Sequence, residues 1–273
     1  MRTVWRVAWP LAVLAGSFGL VFFVASCGGG DGSQDQPTAS ATASVPTLTP
    51  DERSAAEALL EAAALRPEDI PAGLSLKNEG FTTNEEVGEV GDLLVEMFYS
   101  AGGVSLKDRF YSSGRILGYH ANYKADAPSD SSSFSGTVQF GVTVDLYRDS
   151  ASLHADFELY RQHPPDETAM RENAQELYEA LGFKLKDLSV SWRAFAQVGD
   201  ESVAREIEVT VRAPDLDTDS HVVLQSVWIQ RGRLAGSLGL ITMNASPPVE
   251  ELEDLARTLD ERMKDALEQA PVP

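Results

Sequence analysis

Cysteine is almost absent from this chain. A single thiol, Cys27, in 273 residues excludes an intrachain disulfide and every zinc site built on two or more thiolates. Positive charge is also scarce. The 22 Lys and Arg against 42 Asp and Glu leave a net charge of −20, which repels nucleic-acid phosphates and anionic lipid surfaces alike. None of the four histidines has a second His or Cys at ligand spacing, and no serine sits in a G-x-S-x-G turn. No cofactor or metal is called for. What is present, 43% hydrophobic, 8% aromatic and 23% charged residues, suits one or two globular domains with a sizeable core. Collagen-like, disulfide-rich and wholly disordered chains are excluded.

The N-terminus reads as an address. Arg2 and Arg6 precede an apolar run from Val7 to Val24 that carries no charge and closes on Val24-Ala25-Ser26-Cys27. That is the shape of a secretory signal. Its last four residues resemble a bacterial lipobox, in which a thiol is diacylated and cleavage on its N-terminal side makes the cysteine the new first residue. Residues 1–26 are thus expected to be removed, taking two arginines and no acid and leaving a charge of −22. An uncleaved anchor over residues 7–26 is the alternative, since about 20 apolar residues can span a bilayer. Either way the positive flank stays in the cytoplasm and the rest lies outside. Arg2 and Arg6 are not adjacent, so export unfolded by the general secretory route is expected.

From Gly28 to Pro50 the chain is Gly, Ser, Thr, Ala and Pro with almost nothing to bury, so residues 27–50 are expected to form a flexible tether. As a coil it would reach about 25 to 30 Å. Residues 51–273 are expected to form one α+β extracytoplasmic domain. Ser54 to Leu65 reads as a helix that stops before the Pro67–Gly73 turn. Leu93, Leu94, Met97 and Phe98 suggest a short helix. Gly136 to Tyr147 alternates, with Val138, Phe140, Val142, Val144 and Leu146 facing one way and Thr137, Gln139, Thr143 and Asp145 the other. This predicts a half-buried strand. Arg115 to Lys124 reads as its antiparallel neighbour.

Ser150 is expected to cap a helix with Leu153, Phe157 and Tyr160 on one face, ended by Pro164-Pro165. A second helix follows from Asp166, with a stripe of Met170, Ala174, Leu177, Tyr178 and Leu181, stopped by Gly182. Val203 to Arg212, Val222 to Gln230 and Leu234 to Met243 read as strands, the last two joined by a hairpin at Arg231-Gly232. Residues 249–269 form a long amphipathic helix with Leu252, Leu255, Ala256, Leu259, Met263 and Leu267 at helical spacing. Strands with one greasy face plus amphipathic helices give an antiparallel sheet covered by helices, an α/β sandwich of the α+β class.

The phrases Pro67-Glu68-Asp69-Ile70-Pro71-Ala72-Gly73, Gly114-Arg115-Ile116-Leu117-Gly118-Tyr119, Gly199-Asp200-Glu201-Ser202 and Trp228-Ile229-Gln230-Arg231-Gly232-Arg233 resemble a group of uncharacterised bacterial lipoproteins over roughly residues 60 to 270. The architecture also looks like the extracellular sensor domains of bacterial membrane kinases and the oxygen-evolving subunit P of photosystem II. The resemblance implies a fold and a location but no catalytic residue, and a single cysteine leaves no room for the disulfides of the kinase sensor domains.

Candidate chemistry is sparse. Asp215, Asp217 and Asp219 alternate as calcium ligands would, but Ser220 stands where an EF-hand needs Gly and Ser226 where it needs Glu, so an acidic hairpin is expected. His120, His154, His163 and His221 read as ordinary surface or core histidines. Gly199-Asp200-Glu201-Ser202 reads as a turn, and Gly236-Ser237-Leu238-Gly239 as a strand whose glycines permit close packing. Glu250, Glu251, Glu253, Asp254, Asp260 and Glu261 read mainly as a solvated helix face. Trp192, Phe195 and Trp228 are the candidates for a ligand-facing aromatic cluster, with core packing as the plainer use.

The expectation is therefore a monomeric, non-enzymatic envelope lipoprotein, held to the membrane through a lipid at Cys27, whose domain binds an envelope protein or a small ligand. A carrier of lipid or another hydrophobic ligand is the first alternative, recognisable by a large apolar cavity, and an envelope hydrolase the second, recognisable by a cleft with convergent polar groups. A transporter-coupled solute receptor, which needs two α/β lobes, is the least suited to this length.

Overall fold

In the computed structural model, described for residues 48–86, 106–125, 135–162, 167–180, 182–212 and 219–270, the first described helix is capped by Thr49. Its hydroxyl accepts from the Glu52 amide (3.4 Å) while the Glu52 carboxylate accepts from the Thr49 amide (2.8 Å). This capping box, with Pro50 in the first turn, starts helix α1 (Pro50–Ala63) four residues before the expected Ser54. Cys27, the lipobox, the tether as far as residue 47, the expected helix at Leu93–Phe98, His163, Pro164-Pro165, Leu181, Asp215 and Asp217 lie outside the described residues, as do the side chains of Tyr160 and Leu177.

Among the described residues the other α-helices and strands are β1 (Leu74–Thr82), α2 (Leu106–Ser113), β2 (Arg115–Ala125), β3 (Gly136–Tyr147), α3 (Ser150–Gln162), α4 (Glu167–Ala180), β4 (Lys184–Arg193), β5 (Glu201–Arg212), β6 (Asp219–Arg231), β7 (Leu234–Met243) and α5 (Val249–Gln269). The strands form one seven-stranded sheet in the order β1-β2-β3-β7-β6-β5-β4, every pairing antiparallel. The fold is α+β, as the patterning predicts. Two meanders, β1 to β3 and β4 to β7, meet where β3 pairs with β7. Strands β1 and β4, the two sheet edges, escape the sequence reading because each carries a bulge that breaks its alternation, at Leu76/Asn78 and at Leu185/Asp187. The β6–β7 hairpin turns through Gly232 and Arg233, with Gly232 at φ 54° supplying the positive torsion that a tight hairpin needs.

The sheet is covered on both faces. On the front, α1 and α5 pack on each other and on the sheet, burying Leu60, Ala256, Leu259 and Met263 against Phe140, Val142, Val144, Val227, Leu234 and Leu238. Each large side chain withdrawn in this way contributes about 1.5–3 kcal/mol. On the back, α4 sets Met170, Ala174 and Tyr178 against Ile207, Val209, Val222 and Ile241, while α3 sets Leu153 and Phe157 against Tyr147 and Ala235. Strand β3 is therefore not half-buried, because its polar side lies under helices as well. Val138 also departs from the expected front-facing row. A bulge between Thr137 and Gln139 turns it to the back, where it packs against the α4 cluster.

Three local corrections follow from hydrogen bonding. Helix α3 is capped by Asp149 rather than Ser150, since the Asp149 carboxylate accepts from the Ser152 amide (2.7 Å). That bond holds the Asp149 pKa below the usual carboxylate range. Asp260 is not a solvated helix residue. Its carboxylate takes both branches of Arg231 (2.7 and 2.5 Å) and the Gly199 amide (3.2 Å), fastening α5 to the β6–β7 hairpin and raising the Arg231 pKa. Gly236 faces α5, and a Cβ there would stand 2.8 Å from Leu259 Cδ2 and 3.0 Å from Met263 Cε, which is the close packing expected of that glycine.

Candidate functional site: a charged cleft and a buried polar belt

Front-face cover stops short of one corner of the sheet. Helices α1 and α5 pack on β2, β3, β6 and β7, and the front-facing residues of β4 stay exposed. There a cleft of about 710 Å³ opens, lined by Arg193, Glu206, Glu208, His221, Asn244 and Val249 among others. The end of β7 shapes it. Asn244, in the left-handed region at φ 50°, accepts from the His221 amide on Oδ1 (2.9 Å) and donates its own amide to the His221 carbonyl (2.8 Å), folding the chain back across β6 before α5 begins.

The charges in the cleft are mutually engaged. Glu206, only 2% exposed, accepts from Arg193 Nη2 and from Gln225 Nε2 (2.9 Å). His221 Nε2 lies 3.5 Å from Glu208 Oε2. Ser246 also lines the cleft, but among the described contacts no hydrogen bond joins it to His221. A hydroxyl nucleophile needs its base within hydrogen-bond reach, and here the imidazole is turned to a carboxylate instead.

The back face carries a second polar grouping, laid out by strand register. One row across the sheet runs Asn78, Asn122, Gly141, Gly239, Ser226, Arg205, Trp192. The row beside it runs Gly80, His120, Thr143, Ser237, Trp228, Val203. On the other side Gln139 pairs with Ile241. Residues paired across strands point to the same face, so this belt lies between the α3 and α4 clusters. Asn122, Gln139, Arg205 and Ser226 are all buried. Among the described residues, both amide atoms of Gln139, Ser226 Oγ and His120 Nδ1 have no hydrogen-bond partner. Burial holds the His120 pKa below its ordinary value, and Arg115 adds to the shift against an opposing pull from Asp145. The Arg205 guanidinium lies over the Trp228 ring at 5.2 Å.

At the β1 side of the belt, Arg115 is 1% exposed and fully directed inward. It donates to Asp145 (2.8 Å), Asn84 (2.8 Å) and Thr82 (3.1 Å), and its guanidinium lies 4.7 Å from the Phe110 centroid. Gly118 makes room for it, since a Cβ at that position would fall 2.1 Å from Arg115 Nη2 and 2.2 Å from Asp145 Oδ1.

The aromatic trio expected from the sequence is divided. Trp192 and Trp228 stand on the back face in adjacent rows, whereas Phe195 packs into the front core. The histidines scatter. His120 is in the belt, His221 in the cleft, and His154 is exposed on α3 beside Glu201 (3.1 Å). Gly199-Asp200-Glu201-Ser202 forms the turn into β5, where Asp200 accepts from Arg231 (3.0 Å) and the Gly232 amide (2.6 Å). Asp219 opens β6 paired with Arg212 (2.5 and 3.0 Å), which lowers its pKa. Among the described residues no group of three or more His, Cys, Asp or Glu could hold a metal ion, and no helix is long and apolar enough to cross a membrane.

Sequence reading missed Glu206, Gln139, Ser226, Arg115 and Arg205, because polar residues alternating with apolar ones read as a solvent face. For the back-face residues Gln139, Ser226 and Arg205 the available signal was the amphipathic stripe of α4, which has to bury itself on some surface, and the back of the sheet is that surface.

No family model matches the chain, and no curated protein matches it. Among solved structures it is similar to the crystal structure of the extracellular domain of PknH from Mycobacterium tuberculosis, at 6% sequence identity and a TM-score of 0.44, over 77% of this chain and 96% of that one. Nothing about activity follows from a likeness at that level.

Proposed function

We propose that this chain is a lipid-anchored, extracytoplasmic binding protein that does not catalyse a reaction, and that the front-face cleft receives its ligand. The secretory signal shape and the lone Cys27 behind it support the address and the anchor. The observation that carries binding over catalysis is the state of the cleft's charged groups. Glu206 is held by Arg193 and Gln225, and His221 is turned toward Glu208, so the side chains are fixed in place without a base aimed at a nucleophile. A pre-formed concavity with a few placed polar groups is what a small-ligand site needs.

Two measurements test this reading. Intact mass of the protein recovered from membranes should show acyl mass on a chain beginning at Cys27, and Cys27→Ala should remove it. An unmodified wild-type chain overturns the anchor. Native mass spectrometry of the same material should show a small molecule that is lost when Val249→Trp fills the cleft. Conversion of that molecule by the purified protein overturns the non-enzymatic assignment.

A further inference from the structure

The front-face cleft carries a charge balance that restricts its ligand. Arg193 is the one Lys or Arg along the described lining, and its guanidinium is engaged by the buried carboxylate of Glu206. Glu208 lies two residues further along β5, about 7 Å away on the same face. Its side chain is 45% exposed, and the ionic neighbour described for it is His221 Nε2 at 3.5 Å, a group that carries charge only when protonated. With that imidazole neutral, one positive and two negative side chains line the cleft, and the negative charge of Glu208 is the one left over. Hydrogen bonding leans the same way. Gln225 pairs with Glu206 across β5 and β6 and donates Nε2 to it (2.9 Å). A carboxylate only accepts, so this bond fixes the amide orientation and leaves Gln225 Oε1 as an acceptor. Among the described residues that buried oxygen has no partner. The ground around Glu206 and Glu208 is therefore short of donors.

Each class of ligand meets this lining differently. An anion would lie against Glu208 while Arg193 is already paired, losing hydration without gaining a free counter-ion, and it would approach a chain of net charge −20 against the field. A divalent metal ion needs several converging ligands, and among the described residues Glu206, Glu208 and His221 do not form such a group. A quaternary ammonium has no N–H to donate and is held by aromatic faces, whereas no Phe, Tyr or Trp stands along the described lining. A cation with N–H groups meets both demands, because it neutralises Glu208 and donates charge-assisted hydrogen bonds to it. Pro247 and Val249 add an apolar wall to the same cleft, against which an aliphatic stem can lie while its charged end reaches the carboxylate. We infer that the cleft takes a small organic cation, a single ammonium or guanidinium group on an aliphatic stem, with Glu208 receiving the charged end and Val249 the stem. This assignment rests on the reading of the cleft as the ligand site and adds the class of ligand to it.

The test uses the full chain in an uncharged detergent and ligand-detected NMR with butylammonium and butylguanidinium as probes. The Nα-acetyl amides of lysine and arginine carry the same charged ends, and tighter binding of these assigns the ligand to a basic amino acid rather than a free amine or guanidine. Butanol, butyrate and tetramethylammonium are the controls. The N–H cations should bind in preference to all three, about tenfold or more weakly to Glu208→Gln, and not at all to Val249→Trp. Glu208 is half exposed, so Glu208→Gln should keep the wild-type urea midpoint, which separates loss of the charge from loss of the fold. Preference for butanol or butyrate, abolished by Val249→Trp, overturns the cationic class and leaves the cleft as the ligand site. Tetramethylammonium binding as well as butylammonium overturns the hydrogen-bonded cation. Cation binding unchanged in Glu208→Gln or in Val249→Trp places the probe elsewhere and overturns the assignment. Failure of every cation at 10 mM overturns it too, and the cleft reading falls with it only if native mass spectrometry finds no molecule that Val249→Trp displaces.

Discussion

Gly236 and Leu259 offer a quantitative check on how α5 seats on the sheet. Adding a Cβ at Gly236 places it 2.8 Å from Leu259 Cδ2 and 3.0 and 3.2 Å from Met263 Cε and Sδ, and both partner side chains are fully buried with no room to retreat. Overpacking of this kind costs about 1–3 kcal/mol, less about 0.4–1 kcal/mol recovered because alanine restricts the unfolded chain. Leu259→Ala on its own should cost about 2–5 kcal/mol, the range for removing a buried leucine. The double variant decides the issue. With Leu259 truncated, the Cδ2 that the new methyl would strike is gone and the methyl fills part of the vacated space, so the double variant should be more stable than the sum of the singles predicts by about 0.5–3 kcal/mol. Glu253→Ala, which gives up only a surface pair with Arg257 (3.1 Å), should stay within about 0.5 kcal/mol and serves as control. Urea unfolding followed by tryptophan fluorescence measures all four. Additive effects, or a Gly236→Ala variant as stable as wild type, would refute the close seating of α5 on β7.

The other predictions concern charge. Gly118→Ala should push Arg115 away from Asp145 and destabilise the chain by about 3–5 kcal/mol, the range for breaking a buried ion pair, and an unchanged urea midpoint would show that the pair tolerates the methyl. Since the folded state depresses the His120 pKa below 6.5, the unfolded chain takes up the proton first. Stability is then fully present above pH 6.5 and falls as the pH drops below it. His120→Gln should flatten that part of the stability profile, and an identical profile in both proteins would count against the burial of the neutral ring. Asp260→Asn should weaken the hold of Arg231 on α5 by about 1.5–3 kcal/mol, measured by the same urea unfolding, and a loss no larger than that of Glu253→Ala would place Asp260 back on the solvated face.

Local patterning was enough for the elements that carry their own signal. The alternation of β3, the 3.6-residue stripe of α5 and the glycine at the β6–β7 turn are each legible within about a dozen residues, and each appears where the spacing puts it. The sequence also determined the scarcity of reactive groups, because one cysteine and scattered histidines stay scarce in any fold. The pairing of β3 with β7 was decided only in three dimensions, since those strands are far apart in the chain and nothing local selects the partner. Likewise, the alternation of β3 and β5 marks two faces but does not say that helices close over both. That second covering turned Gln139, Ser226 and Arg205 from apparent solvent-facing residues into buried ones, while on the front the short reach of α1 and α5 left open the corner where Glu206 and His221 line a cleft. A polar residue at every second strand position reads the same in sequence terms whether it faces water or a covering helix. Whether it meets one or the other depends on what the rest of the chain lays over it.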